Sequence, residues 1–125
     1  MADDEWTGTG RAGQLGQLSV VAAVDGGIRV VTVTGEVDQH TGEPLQQALE
    51  VTTPPGPRVV VDMSEVSFMD STGINIFITA HKALAKAGGW LRLAALAEPV
   101  QRTIRLVGLH TFIDSHETLD QALNR

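Results

Sequence analysis

Residues 58–63, Arg-Val-Val-Val-Asp-Met, form an almost unbroken apolar, β-branched run. A strand with so little polar surface has no face to give to water, so it lies centrally in a sheet or is covered on both sides. After Ser64-Glu65-Val66-Ser67-Phe68-Met69 come Asp70-Ser71-Thr72-Gly73 and then a long stretch of helical hydrophobic spacing. A buried strand that leads into an amphipathic helix commits the chain to an α/β architecture.

The flanking segments agree. Leu18 to Val24 and Ile28 to Thr34 are β-branched runs on either side of Asp25-Gly26-Gly27, whose glycines reach positive φ, and they predict an antiparallel hairpin. Gly35-Glu36-Val37-Asp38 is expected to end the second strand, and Thr41 to cap a helix running to about Val51, where Pro54-Pro55-Gly56-Pro57 stops it. From Thr72 to about Ala87, one inward side comprises Ile74, Phe77, Ile78, His81 and Leu84 and another Ile76, Ala80, Ala83 and Ala87. A polar stripe of Asn75, Thr79, Lys82 and Lys86 remains, and it begins at Ser71 and Thr72.

Beyond Gly88-Gly89, Trp90 to Leu96 reads as a strand, and Glu98-Pro99 open a helix with Val100, Ile104 and Val107 inward. Phe112-Ile113 is a short strand candidate, and Ser115 caps a last helix to Asn124. The prediction is a mixed β-sheet with an antiparallel N-terminal hairpin followed by βα units, and about four helices. Residues 1–17 show no periodicity and read as a flexible tail in which Trp6 stands alone; residues 18–125 read as one domain. At 125 residues there is room for a single core.

Composition narrows the function. A formal charge of -6 without a basic stripe argues against nucleic acid as a partner. The absence of cysteine removes disulfides and thiolate chemistry and fits a reducing cytoplasm. An acidic start predicts no secretion signal, and no apolar run is long enough to insert in a membrane. His40, His81, His110 and His116 fall in no metal-ligand spacing, so no metal is expected. His81 reads as a boundary or core residue. A serine hydrolase would need a nucleophile elbow, yet Phe68-Met69-Asp70-Ser71-Thr72-Gly73 has no glycine two residues before Ser71; nor is there a phosphate-binding glycine loop. Nothing points to an enzyme.

Asp70-Ser71-Thr72 carries two compatible readings. One is an ordinary helix N-cap. The other is a phosphorylation switch, since a hydroxyl at a helix N-terminus is exposed and its phosphate meets unpaired N–H groups and the positive end of the dipole.

Gly35-Glu36-Val37-Asp38, the strand from Val59 to Met63, and Val66-Ser67-Phe68-Met69-Asp70-Ser71-Thr72-Gly73-Ile74 together resemble bacterial anti-sigma-factor antagonists built on a STAS domain. The resemblance runs from about Leu18 to the C-terminus. It implies partner switching: the unphosphorylated protein binds an anti-sigma factor with serine kinase activity of the GHKL type, which releases a sigma factor. The kinase phosphorylates the first serine of the D-S-[ST]-G motif, here Ser71, and a PP2C-type phosphatase reverses it. ATP belongs to the kinase, so no cofactor is expected on this chain.

The resemblance also implies that Asp38 helps shape the kinase-facing surface, against a plain reading of Asp38 as a loop cap. Asp70 and Thr72 would position the acceptor, and Gly73, Asn75, Thr79 and Lys82 would belong with them to the partner-binding surface. Where family members often have a glycine two residues after the motif glycine, this chain has Asn75, a departure that bears on partner choice. The alternative is a non-phosphorylated STAS scaffold or ligand-sensing module in which Ser71 is only a cap.

Overall fold

The structure, a computed structural model, describes residues 18–53 and 55–124; the expected tail, residues 1–17, lies outside the described residues. Among the described residues five strands form one sheet in sequence order: β1 (Leu18–Asp25), β2 (Ile28–Val37), β3 (Arg58–Met69), β4 (Trp90–Ala94) and β5 (Asp114–His116). β1 and β2 are antiparallel and every later pairing is parallel, which is the mixed sheet that the hairpin and βα pattern require. The hairpin turns on Gly26 and Gly27, both at positive φ (58° and 81°), where a side chain would strain the backbone. The helices are α1 (Gly42–Ala48), α2 (Ser71–Lys86), α3 (Glu98–Leu106) and α4 (Leu119–Leu123), with a 3-10 turn at Leu109–Thr111.

The two faces of the sheet are buried unequally. Val31, Val33, Val59, Val61, Met63, Leu91 and Leu93 pack against Leu45 of α1, Ile74, Phe77 and Leu84 of α2, and Val100 and Ile104 of α3. The opposite face carries a smaller cluster of Ile28, Val60 and Ala94 under Ala122 of α4. Val59, Val60 and Val61 are all fully buried, and they divide between the two clusters, as the apolar run of β3 demands.

β2 ends at Val37, within the Gly35–Asp38 segment expected to close it, whereas β3 outlasts its expected end and runs on through residues 64–69. The reason is two irregularities. Between the Thr32/Asp62 and Thr34/Glu65 pairs, and again between Gly35/Val66 and Glu36/Phe68, β3 carries one more residue than β2. Each extra residue breaks the period-two alternation by which a strand is recognised.

Other expectations are corrected. α1 stops at Ala48, not near Val51, where the buried Arg29 takes the carbonyls of Ala48, Thr53 and Gly56 (2.8, 2.6 and 2.8 Å). β4 ends at Ala94 because Ala95 turns to φ 59° and donates its N–H to His116 O. Phe112 and Ile113 belong to the 3-10 turn and its exit, with Ile113 N bonded to Leu109 O, so the last strand starts at Asp114. Thr118, not Ser115, caps α4 by accepting from Gln121 N. Ala83, Ala87 and Val107, expected to face inward, are exposed.

Candidate functional site

β2 and β3 end together: Val37 is the register partner of Met69. The next residue on each strand is an aspartate, so Asp38 and Asp70 leave the sheet side by side. The backbone N–H of Asp70 donates to Val37 O at 3.1 Å, which fastens the start of α2 to the end of β2. Asp70 is the N-cap. Its backbone is extended (φ -105°, ψ -164°) and its Oδ1 accepts from Thr72 N at 2.8 Å, satisfying one of the N–H groups that open a helix.

Ser71 is therefore the first residue of the helix and not its cap. It is exposed, and its hydroxyl makes no hydrogen bond among the described residues. Thr72 is half-buried, while Gly73 is fully enclosed. A Cβ on Gly73 would overlap Met69 Cγ and lie 2.7 Å from Met69 Sδ and 3.0 Å from Val37 Cγ1, so glycine there lets α2 sit directly on the ends of both strands.

Asp38 is committed to its own loop. Its Oδ1 accepts from His40 N (2.9 Å) and Thr41 N (3.1 Å) and lies 3.2 Å from Thr41 Oγ1. Thr41 Oγ1 lies 2.7 Å from the Glu36 carbonyl, to which it donates, and accepts from Asp38 N at 2.9 Å. Thr41 precedes α1 without making a side-chain cap bond to it; the two side chains instead rigidify the β2–α1 loop. Behind the loop, Gly42 is buried, and a Cβ on it would lie 2.9 Å from Ile76 Cδ1 and 3.1 Å from Thr72 Cγ2, so α1 and α2 meet closely at their N-terminal ends.

From this corner the exposed stripe runs along α2 through Asn75, Thr79, Lys82 and Lys86. The structure thus brings Asp38, Asp70, Ser71, Thr72 and Gly73 to one end of the sheet and strings Asn75, Thr79 and Lys82 away from it. Three neighbours were not assigned to the site from sequence: Thr41, read there as a helix cap, and Gly42, for both of which the Asp-x-x-Thr-Gly spacing is the available signal, and Phe68. Phe68 is 48% exposed two residues before Asp70, because the second irregularity in β3 turns it off the buried face. His81 is half-buried with its ring 5.5 Å from that of Phe112 and its Nδ1 unpartnered, a boundary residue apart from the Ser71 corner. Among the described residues, no helix is long and apolar enough to cross a membrane.

The exposed Ser71 hydroxyl, the hydrogen-bonded β2–α1 loop and the polar stripe of α2 thus lie together on one surface of the described residues. The chain belongs to the STAS domain family, whose model matches residues 19–122. It is 33% identical over 84 residues to the anti-sigma-B factor antagonist of Bacillus subtilis, covering 67% of this chain and 77% of that one. It superposes on the crystal structure of an anti-sigma factor antagonist from Mycobacterium paratuberculosis with a TM-score of 0.77 at 33% identity, covering 85% of this chain and 91% of the other. The fold is also that of the anti-sigma factor antagonist SpoIIAA in its unphosphorylated form (TM-score 0.71, 20% identity, 86% and 95% covered) and of SpoIIAA from Bacillus in the phosphorylated form (0.66, 19%, 86% and 98%).

Proposed function

We propose that this protein is an anti-sigma-factor antagonist that acts in the cytoplasm by partner switching, with Ser71 as the phosphorylated residue. Unphosphorylated, it binds an anti-sigma factor that is also a GHKL-type serine kinase, and that binding frees a sigma factor. The observation that carries the reading is the division of labour at the start of α2: Asp70 holds the cap, and the Ser71 hydroxyl is exposed and unengaged.

In the transfer step, Ser71 Oγ attacks the γ-phosphorus of ATP held by the kinase, the bond to ADP breaks and ADP leaves, and the hydroxyl proton passes to a base supplied by the kinase. The protein supplies presentation and the kinase supplies catalysis, so this chain is a substrate and a ligand. The product adds about -1.5 to -2 charges beside Asp70, with the first-turn N–H groups and the helix dipole partly compensating. The fold therefore tolerates the phosphate, while a partner lying over Ser71, Asn75, Thr79 and Lys82 meets a new desolvated charge. Moving a complex from 99% to 1% formed takes about 5.5 kcal/mol, within what charged groups at interfaces contribute. A PP2C-type phosphatase resets the switch.

The test is to incubate the protein with its cognate anti-sigma kinase and ATP and map the phosphopeptide. Phosphate on Ser71, absent from Ser71→Ala, supports the assignment; phosphate on Thr72 or elsewhere overturns it.

A further inference from the structure

We infer that β1 is a self-association edge, through which two copies of this chain pair antiparallel about a two-fold axis passing through Val21. β1 has β2 on one side and no strand on the other among the described residues. Its eight residues, Leu-Ser-Val-Val-Ala-Ala-Val-Asp, pair with β2 without a register break. Natural edge strands are blunted by lysine, proline, bulges or short length, and β1 has none of these. Val21 and Val24 are 60% and 63% exposed.

The hairpin fixes which backbone groups are available. Asp25 and Ile28 close a two-residue turn, and the pair that closes such a turn exchanges hydrogen bonds across the hairpin. Alternation then turns the N–H and C=O groups of Asp25, Ala23, Val21 and Ser19 toward β2 and those of Leu18, Val20, Ala22 and Val24 toward the free edge. A two-fold axis at Val21 sets Leu18 opposite Val24 and Val20 opposite Ala22, so all four outward residues are used in both copies. The strand's single charge, Asp25, falls outside that ladder, so no like charges face each other. Val21 stands against its own copy in a non-hydrogen-bonded pair.

That register argues for a second copy over an unrelated strand. It is self-complementary in length, polarity and charge, as a two-fold interface must be. Val21 shares a sheet face with Thr32, on the side away from α1, and is 60% exposed, so pairing covers apolar surface that no helix among the described residues covers. Ser71 is separated from this edge by β2 and β3 and stays accessible in the dimer.

The test uses the full chain. Sedimentation equilibrium should show a dimer at concentrations of about 100 µM, and amide exchange at Val20, Ala22 and Val24 should slow as concentration rises. Because the chain has no cysteine, Val21→Cys should form an intermolecular disulfide under mild oxidant, Cα atoms of a non-hydrogen-bonded pair being about 4.5 Å apart. Val24→Cys, equally exposed but facing Leu18, should cross-link much more slowly. Ala22→Pro removes an outward N–H without touching the β1–β2 ladder, and Val21→Lys sets two cations face to face; each should weaken dimerisation at least tenfold. A monomer at that concentration overturns the proposal, whether the edge amides exchange fast or are protected by the chain's own residues 1–17. Cross-linking of Val24→Cys as fast as Val21→Cys overturns the register.

Discussion

The N–H of Asp70 donates to the carbonyl of Val37 across 3.1 Å, and this bond carries the β2–β3 pairing of the two motifs, far apart in the chain, on to the first residue beyond the sheet. Asp70 also holds Thr72 N, so the same residue anchors α2 to the sheet and caps it. Asp70→Ala should therefore cost about 0.5–2 kcal/mol as a lost cap, measured by urea denaturation. Ser71→Ala, which removes no intramolecular hydrogen bond, should stay within about 0.5 kcal/mol of the parent. If Ser71→Ala proves the costlier of the two, the assignment of the cap is wrong.

Gly73 carries the second prediction. A methyl group there collides with Met69 Cγ and crowds Val37 Cγ1, and overpacking of a filled core costs about 1–3 kcal/mol. Against this stands about 1 kcal/mol of helix propensity gained on replacing glycine by alanine. Gly73→Ala should be destabilising by about 1 kcal/mol net, and Met69→Ala in the same chain should absorb part of the clash. A double-mutant cycle without coupling would show that the two residues do not compete for the same space.

The architecture was legible because its signals are local. The valine run of β3, the Gly26-Gly27 turn and the spacing of Ile74, Phe77 and Leu84 each point to one answer, and they agree. What was not legible depends on pairing across distance. The extra residues of β3 opposite β2 hid the strand from Ser64 to Met69, and α1 ends where Arg29, from a different strand, takes its last carbonyls. At the site, the two motifs could be placed near each other, but the choice between Asp70 and Ser71 as cap depends on a backbone conformation. The exposure of Phe68 follows from the irregularity in β3 and not from its own residue type, so no local signal announces it.

Asp38 separates charge from scaffolding. Its carboxylate receives the backbone N–H groups of His40 and Thr41, so Asp38→Ala should loosen the β2–α1 loop and cost about 1 kcal/mol. Asp38→Asn keeps an oxygen acceptor and should restore most of that stability without the charge. If Asp38→Asn is stable yet binds the kinase poorly by calorimetry, the carboxylate faces the partner; if it binds normally, Asp38 acts only through the loop.

Arg29 is 1% exposed and has no carboxylate partner among the described residues; burial lowers its guanidinium pKa from the usual value. Its three bonds to the carbonyls of Ala48, Thr53 and Gly56 tie down the connection between α1 and β3. Arg29→Met fills similar volume but leaves those oxygens without their donor, and should cost about 2–4 kcal/mol. Amide exchange should rise first in residues 49–57. Unchanged exchange there would show that the proline-rich connection holds itself.

Ser71→Asp tests the electrostatic part of the switch with a single charge in place of a phosphate. The side chain sits at the first position of α2, where the helix dipole favours an anion by about 0.3–1 kcal/mol, so the isolated protein should be as stable as the parent or slightly more so. Binding to the kinase should nevertheless weaken at least tenfold, about 1.4 kcal/mol, because the charge is desolvated only in the complex. Raising the salt concentration should recover little of that loss, since a buried charge is screened far less than an exposed one. Weakened binding that salt fully restores would place the charge at the rim of the interface, and unchanged affinity would mean that the phosphate acts by bulk or through a different surface.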